Sequence, residues 1–222
     1  MKKIGIFTIA RSNSERCPNK MLRDFCGTSL IEIALKKFKE LGENAFLAAH
    51  ESEFKTLCDQ EGVRFVQRSE RSANIDEPIV DILDFLKNED FSHFLIVNGC
   101  LPFLKTETIQ YFVKHCEANN YQSSFGVIRR NNFYFDSQSN PFNFDVGMKT
   151  INTKAVETLY EFAHSLYFFE KEYFFEHGRY WDWEKVNLFE MTDHIELIDI
   201  DTEADFNTAK ALWTALNPTV PV

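Results

Sequence analysis

The chain lacks the cysteine patterns that build disulfide frameworks or zinc sites. Its five cysteines are odd in number and widely spaced, at Cys17, Cys26, Cys58, Cys100 and Cys116. No Cys-x-x-Cys pair and no Cys/His spacing typical of zinc ligation occurs. The sequence therefore argues against a disulfide-stapled domain and against a structural zinc site.

Long apolar runs and an excess of positive charge are also missing. No apolar stretch approaches the roughly 20 residues that a membrane-spanning helix needs. The apolar run after Lys2 and Lys3 is brief and breaks at Arg11, which disfavours a signal peptide and predicts a cytoplasmic protein. A net charge of −10 argues against nucleic acid or an anionic membrane as a general partner. Any anionic substrate would therefore need a locally basic pocket.

The length suits one enzyme-sized domain. With 222 residues and 44% hydrophobic content, the chain can bury a substantial core without splitting. No linker, repeat or low-complexity tract is visible, so we expect a single domain over 1–222. Aromatic residues mixed with Asn, Ser and Gln predict an irregular insertion at about 121–183.

Strand-like and helix-like patterns alternate through the first half of the chain. Apolar, β-branched or aromatic runs predict strands at 4–8, 45–49, 63–66 and 94–97. Helical spacing, Gly42, Gly62 and an early Pro78 predict helices at 29–41, 51–61, 78–87 and 106–118. This rhythm indicates an α/β fold, with a mostly parallel sheet covered by helices on both faces. Ligands of such sheets lie beyond the carboxyl ends of the strands.

The first strand opens into a polar segment, residues 9–23, which we call the basic loop. It carries four cations close together, at Arg11, Arg16, Lys20 and Arg23. Loop N–H groups and cations at such a strand-to-helix junction suit a polyphosphate. A merely solvated basic loop is the alternative interpretation.

An Asp-x-Asp pair, Asp199 and Asp201, lies near the other end of the chain. Alternation in a strand over 195–201 would place both carboxylates on one face, with Ile198 and Ile200 on the other. Two such carboxylates repel unless a cation lies between them, and oxygen ligands of this kind suit Mg²⁺. Alternatively Asp201 caps the following helix, which leaves Asp199 unexplained.

Motifs at both ends, in the right order, resemble those of the sugar-acid cytidylyltransferases. The pattern Ala-Arg-x-(Gly/Asn)-Ser-x-x-x-Pro-x-Lys occupies residues 10–20, followed by Gly27 and by Leu-Ile at 30–31. The closing run Ile-Asp-Ile-Asp-Thr-Glu-x-Asp-Phe stands at 198–206, and Ser-Leu-Tyr-Phe-Phe at 165–169 resembles the family's Ala-(Ile/Phe)-Tyr-Ile-Phe segment. These enzymes activate N-acetylneuraminate and related 3-deoxy-2-keto acids as CMP-sugars.

The resemblance implies a Rossmann-like three-layer α/β/α nucleotidyltransferase fold of the nucleotide-diphospho-sugar transferase type. It implies that a sugar hydroxyl attacks the α-phosphorus of CTP, that pyrophosphate leaves, and that a homodimer forms through the insertion. By position it assigns Arg11, Ser14 and Lys20 to the nucleotide, Asp199 and Asp201 to Mg²⁺, and Asn98 to the sugar acid. Beyond these matches we expect catalysis by Arg11, Lys20 and Asp201. We also expect nucleotide contacts from Ser12, Asn13 and Arg68, and sugar-acid contacts from Lys105, His164 and Tyr167.

Several positions depart from the family pattern. Glu15 and Met21 replace polar or basic residues, Leu104 stands where an arginine is common, and Ala163-His164 replaces Asn-Gly. The stretch 48–50 lacks the family's acidic residue. These changes predict a sugar acid other than N-acetylneuraminate, or a catalytically silent homologue acting as a binding partner. A metal-dependent glycosyltransferase is a further alternative, although its Asp-x-Asp normally lies mid-chain.

Overall fold

The computed structural model describes residues 2–76 and 78–217, and seven strands in it form one sheet. In spatial order β3-β2-β1-β4-β6-β5-β7, every neighbouring pair is parallel except those that involve β6. The predicted α/β fold with a mostly parallel sheet is therefore confirmed. The strands are β1 (Ile4–Ile9), β2 (Ala45–Ala49), β3 (Arg64–Gln67), β4 (His93–Val97), β5 (Ser124–Arg130), β6 (Leu159–Glu170) and β7 (Asn187–Glu190).

The longer helices begin and end where local sequence signals place them. Ser29 caps the first helix by accepting a hydrogen bond from the N–H of Glu32, and Gly42 ends it at φ 88°. Gly62 ends the second helix in the left-handed conformation, φ 71°. The helices are α1 (Leu30–Leu41), α2 (Ser52–Glu61), α3 (Glu70–Asn74), α4 (Ile79–Ile82), α5 (Thr106–Ala118), α6 (Lys171–His177) and α7 (Glu203–Leu216).

The sheet separates two hydrophobic cores because successive strand residues point to opposite faces. Ile6 of β1 belongs to the larger core, which α1, α2, α5 and α7 cover. The next residue, Phe7, belongs to a smaller core dominated by phenylalanine, against which α4 and α6 pack. There the rings of Phe7 and Phe46 stack at 5.4 Å between centroids.

One predicted helix is divided and one predicted strand is wrong. The helix expected at 78–87 is the short α4 followed by a 3₁₀ helix, Asp84–Asn88. Leu83, the residue before that 3₁₀ helix, and Leu86 are three residues apart and both buried. The strand expected at 195–201 is instead a 3₁₀ helix, His194–Leu197, followed by an extended segment outside the sheet. Asp193 caps that 3₁₀ helix, and its buried Glu196 is fixed by contacts with the loop after β4.

Part of the predicted insertion at 121–183 belongs to the sheet, because β5 and β6 fall within it. Residues 131–158 lie outside the sheet as a separate arm. Phe133 and Phe135 pack against Phe144 there, with ring centroids 4.9 and 5.2 Å apart. The arm also exposes large apolar side chains, at Phe135, Phe142, Val146 and Ile151. Dimerisation through this arm stays a prediction.

None of the helices within 2–76 and 78–217 has the length and apolar character needed to cross a membrane.

We predict that Gly5→Ala lowers the free energy of unfolding by about 1–3 kcal/mol through overpacking. A Cβ at Gly5 would lie 2.8 Å from the ring of Phe91, which is itself buried against Phe46. Gly147→Ala is the matched control, because its Cβ would meet nothing closer than 3.4 Å. Urea unfolding of the two variants measures the difference, and equal stabilities would contradict the prediction.

Candidate active site

A cavity of about 440 Å³ opens beyond the carboxyl ends of β1 and β4. The basic loop forms one wall of it and the turn after β4 another. The predicted site residues that line this cavity are Arg11, Ser14, Lys20, Arg68 and Asn98. The structure thus brings together residues that are far apart in the sequence.

Lys20 joins the basic loop to the segment that carries the two aspartates. Its side chain is only 11% exposed, and its Nζ donates to the backbone carbonyl of Ile200 and lies 3.3 Å from Oδ1 of Asp201. Burial acts to lower the pKa of Lys20, but Cys100 and Asp201 outweigh it, so the pKa is raised. Lys20 is therefore a fixed positive charge at the cavity wall.

The two aspartates have different surroundings. Oδ2 of Asp199 accepts a hydrogen bond of 3.0 Å from Asn98, while its Oδ1 is buried and has no partner among the described residues. Burial and the neighbouring Asp201 raise the pKa of Asp199. Asp201 instead lies 3.0 Å from Arg16 and 3.3 Å from Lys20.

The capping alternative for Asp201 is wrong. Thr202 is the N-cap of α7: its side chain accepts from the N–H of Asp205, and Asp205 returns the bond to complete a capping box. Helix formation therefore leaves the carboxylate of Asp201 free for another role.

The donor set fits a magnesium ion better than a metal that needs an all-protein cage. In the described part of the chain, no group of three or more His, Cys, Asp and Glu side chains is placed to hold a metal. Mg²⁺ is commonly bound by one or two carboxylates, with water and substrate phosphates as its other ligands. The unpartnered Oδ1 of Asp199 is the kind of oxygen that such an ion would use.

Arg68 forms an unusual part of the cavity wall. It is 3% exposed, and its Nη2 donates to the carbonyl oxygens of Ser72 and Ile82. Its Nε has no partner within the described residues. Burial and the nearby Arg11 lower its pKa to about 10, so the guanidinium remains charged at neutral pH. A buried cation with an unused donor suits a ligand that supplies acceptor oxygens or nitrogens.

The start of the basic loop is fastened to α2. Both the N–H and the hydroxyl of Ser12 donate to Oε1 of Glu51, each at 2.6 Å. Burial acts to raise the pKa of Glu51, but the bonds from Ser12 outweigh it and the pKa is lowered. Sequence reasoning missed Glu51, although it follows the 48–50 stretch by a single residue. Ser12 and the adjacent Asn13 are not among the residues that line the cavity, whereas Arg11 lines it and pairs with Asp76 at 3.1 Å.

Three of the residues assigned to the sugar acid lie together beside Asp199. Asn98 donates to the backbone carbonyl of His164 at 2.9 Å, and the hydroxyl of Tyr167 lies 3.4 Å from Nδ1 of His164. The strand β6 bulges here: β5 has one residue, Gly126, where β6 has four. His164 lies in this bulge with φ 48°, a left-handed conformation that suits glycine and strains other residues.

Lys105, the fourth residue assigned to the sugar acid, is placed elsewhere. Its Nζ lies 2.7 Å from Asp193 and 3.3 Å from Glu196, and it does not line the cavity. The buried Glu196 also accepts from the N–H of Lys105 and from the hydroxyl of Thr108. These contacts hold the segment before Asp199 against the N-terminus of α5. Sequence reasoning missed this role of Glu196, for which its spacing gives no signal.

Solved structures of several enzymes share this fold. A CMP-2-keto-3-deoxy-manno-octonic acid synthetase complexed with CTP matches with a TM-score of 0.70 at 12% identity, over 97% of this chain and 100% of that one. A 4-diphosphocytidyl-2C-methyl-D-erythritol synthase from Anaerococcus prevotii matches with a TM-score of 0.66 at 16% identity, over 96% of both chains. A cytidylyltransferase from Leptospira borgpetersenii matches with a TM-score of 0.64 at 18% identity, over 99% of this chain and 89% of that one. The fold is thus that of the α/β nucleotidyltransferases.

Comparison of the sequence with family profiles identifies the family. The profile of a family described as cytidylyltransferase matches residues 6–217. The chain therefore belongs to the cytidylyltransferase family. No curated protein matches the chain.

We predict that His164→Gly stabilises the protein. A left-handed conformation costs an L-residue roughly 1–2 kcal/mol, whereas glycine costs about 0.5–1 kcal/mol in chain entropy, so the free energy of unfolding should rise by about 0.5–1 kcal/mol. The imidazole is exposed, so its removal loses little packing. His164→Ala is the control, since it removes the same ring and keeps the strain. Thermal unfolding in which glycine and alanine variants melt together would contradict this account.

Proposed function

We propose that this protein transfers the CMP group of CTP to a 3-deoxy-2-keto sugar acid, releasing pyrophosphate. The observation that carries the proposal is the contact of Lys20, which lines the cavity, with Asp201. It joins a cationic strand-to-helix loop, suited to a triphosphate, to a pair of carboxylates suited to Mg²⁺. Membership of the cytidylyltransferase family supports CTP as the nucleotide.

The basic loop and Arg68 form the nucleotide side of the proposed site. A volume of about 440 Å³ lies within the range of small-ligand cavities. Arg11, Lys20 and Ser14 supply cations and a hydroxyl for the triphosphate, whose charge must be neutralised when pyrophosphate leaves. The buried guanidinium of Arg68 supplies a donor at the cavity wall.

Asp199 and Asp201 would hold Mg²⁺, which neutralises phosphate charge and acidifies a bound hydroxyl. Lys20 orients the carboxylate of Asp201, and Asn98 orients that of Asp199. Fixed partners of this kind keep the ligand oxygens in place before substrate binds.

Asn98, His164 and Tyr167 form the acceptor side. Their amide, imidazole and phenol groups lie next to Asp199, where a polar sugar acid could bind beside the nucleotide. In the proposed step, an oxygen–phosphorus bond forms between the sugar hydroxyl and the α-phosphorus as the bond to the pyrophosphate oxygen breaks. Similarity to a CMP-2-keto-3-deoxy-manno-octonic acid synthetase supports this class of acceptor through the fold alone.

Pyrophosphate release measured with CTP, Mg²⁺ and a panel of 3-deoxy-2-keto sugar acids tests the proposal. We expect turnover with at least one of them. Binding of CTP without turnover of any sugar acid would favour the alternative of a silent homologue.

We predict that Lys20→Ala weakens CTP binding at least tenfold, through the loss of a charge-assisted contact at the cavity wall. Lys36→Ala is the matched control, because Lys36 is exposed on α1 and is not among the cavity residues. Calorimetric titration with CTP measures both. Unchanged affinity in a folded Lys20→Ala protein would remove the basic loop from the site.

We predict that Asp201→Asn reduces turnover about a hundredfold or more while the protein stays folded, since it removes a charged ligand oxygen and Thr202 still caps α7. Thr202→Ala provides the contrast, because loss of the cap should lower the free energy of unfolding by about 1 kcal/mol. Turnover is measured against Mg²⁺ concentration. Full activity with an unchanged magnesium requirement in Asp201→Asn would place the metal elsewhere.

We predict that N-acetylneuraminate is not the preferred sugar acid. Leu104, where the resembled family commonly has arginine, is buried in the core, and Lys105 is held away by Asp193 and Glu196. Loss of a charged hydrogen bond of about 1.5–3 kcal/mol corresponds to roughly a ten- to hundredfold penalty. Comparison of kcat/KM across the sugar panel tests this, and a best value for N-acetylneuraminate would show it to be wrong.

A further inference from the structure

A second cavity, of about 800 Å³, lies at the opposite end of the sheet from the candidate active site. Its floor contains His93, the first residue of β4, and Glu170, the last residue of the antiparallel β6. Asn98 of the candidate active site follows the other end of β4. At about 3.3 Å per residue, roughly 16 Å of strand separates His93 from Asn98. This cavity is therefore distinct from the proposed site.

Aromatic rings form much of the wall of this second cavity, which we call the aromatic cavity. Tyr173 and His177 of α6 stack with centroids 4.1 Å apart and 16° between their planes. Trp181 lies 5.1 Å from Tyr180 and 6.2 Å from Trp183, and Trp183 is 64% exposed. Large aromatic surfaces that remain accessible in a cavity of this size favour a bound organic ligand over an ion.

The backbone on another side of the cavity is strained. Asn120 and Tyr121, which follow α5, have φ values of 57° and 61°. Two successive non-glycine residues in the left-handed region are uncommon, and a tyrosine there is an outlier. The strain places the Tyr121 ring 5.4 Å from that of His93, above the cavity floor. Strained residues of this kind concentrate at ligand-binding sites, which is an independent indication of function.

The charges around the aromatic cavity balance. Three cations are matched by three carboxylates, and burial and Lys2 lower the pKa of His93 to about 4, so it adds no charge at neutral pH. Amide side chains of Asn120 and Gln122 supply both donors and acceptors. The cations are Lys2, Arg179 and Lys185, and the carboxylates are Glu170, Asp182 and Glu184. Such a lining does not select for an anion or a cation.

We propose that the aromatic cavity binds a neutral oligosaccharide. Sugar rings present C–H faces that pack against aromatic rings, and their hydroxyl groups donate as well as accept hydrogen bonds. Balanced charges with amides satisfy both kinds of hydroxyl contact, and the volume admits more than one sugar ring. Trp183 also lines the cavity and leaves most of its surface open to a ligand.

Calorimetric titration of the full-length protein with maltotriose, cellotriose and chitotriose tests the proposal. We expect saturable binding of at least one trisaccharide, weakened at least tenfold by Trp181→Ala and by Trp183→Ala. Trp183 is largely exposed, so Trp183→Ala keeps the test valid where Trp181→Ala fails to fold. Trp213→Phe is the control. Trp213 belongs to α7, packs against Phe25 and Phe103, and does not line this cavity.

We expect trisaccharide binding at the aromatic cavity to be independent of nucleotide binding at the candidate active site. Lys20→Ala should leave trisaccharide binding unchanged, and CTP should not compete with it. The proposal is overturned if no trisaccharide binds, if binding survives both cavity tryptophan variants, or if CTP displaces the sugar. Binding of inorganic phosphate or choline in place of the trisaccharides would also overturn it.

Discussion

The candidate active site depends on one buried ammonium group. Lys20 binds both the carbonyl of Ile200 and the carboxylate of Asp201, residues 180 and 181 positions away in the chain. Two further ion pairs join the same parts of the chain: Arg23 lies beside Glu203, and Lys210 binds Asp24. The first loop and the last helix are thereby closed against each other. This closure holds Asp201 against Arg16 and Lys20, two cations that line the cavity.

Local chemistry explains most of what the sequence could predict. Ser29 and Gly42 define α1 from signals within a few residues, and the alternation of strands and helices in the first half predicts β1 to β4. The remaining strands, β5 to β7, were not predicted, because their aromatic and polar residues follow no simple alternation. The strand predicted around Asp199 does not form, because distant partners set the conformation of that segment. The backbone carbonyl of Cys100 accepts a hydrogen bond from the N–H of Ile200, and the loop after β4 fixes Glu196. The alternating apolar residues of this segment are there because some of them are buried, as Ile200 is, and they do not indicate strand pairing. Glu51 and Arg68 were hard to interpret for the same reason, since their partners lie in other elements.

The departures from the family pattern acquire structural meaning at particular positions. Met21 is buried against Cys100, with their sulfur atoms 3.9 Å apart, so an apolar contact stands where a polar one was expected. His164 instead adds a ring at a backbone position suited to glycine. One change removes a polar group from the cavity and the other adds one on the acceptor side. The change at His164 is in keeping with our proposal that the acceptor is a sugar acid other than N-acetylneuraminate.

Each cation of the basic loop already has a carboxylate partner: Arg11 lies beside Asp76, Arg16 and Lys20 beside Asp201, and Arg23 beside Glu203. A triphosphate that enters the cavity therefore exchanges partners with existing ion pairs and does not meet bare charges. Dissolved salt screens the pairs that are broken as well as those that form. Nucleotide affinity should consequently depend on ionic strength less steeply than four cations would suggest, which suits an acidic protein whose overall charge repels its substrate.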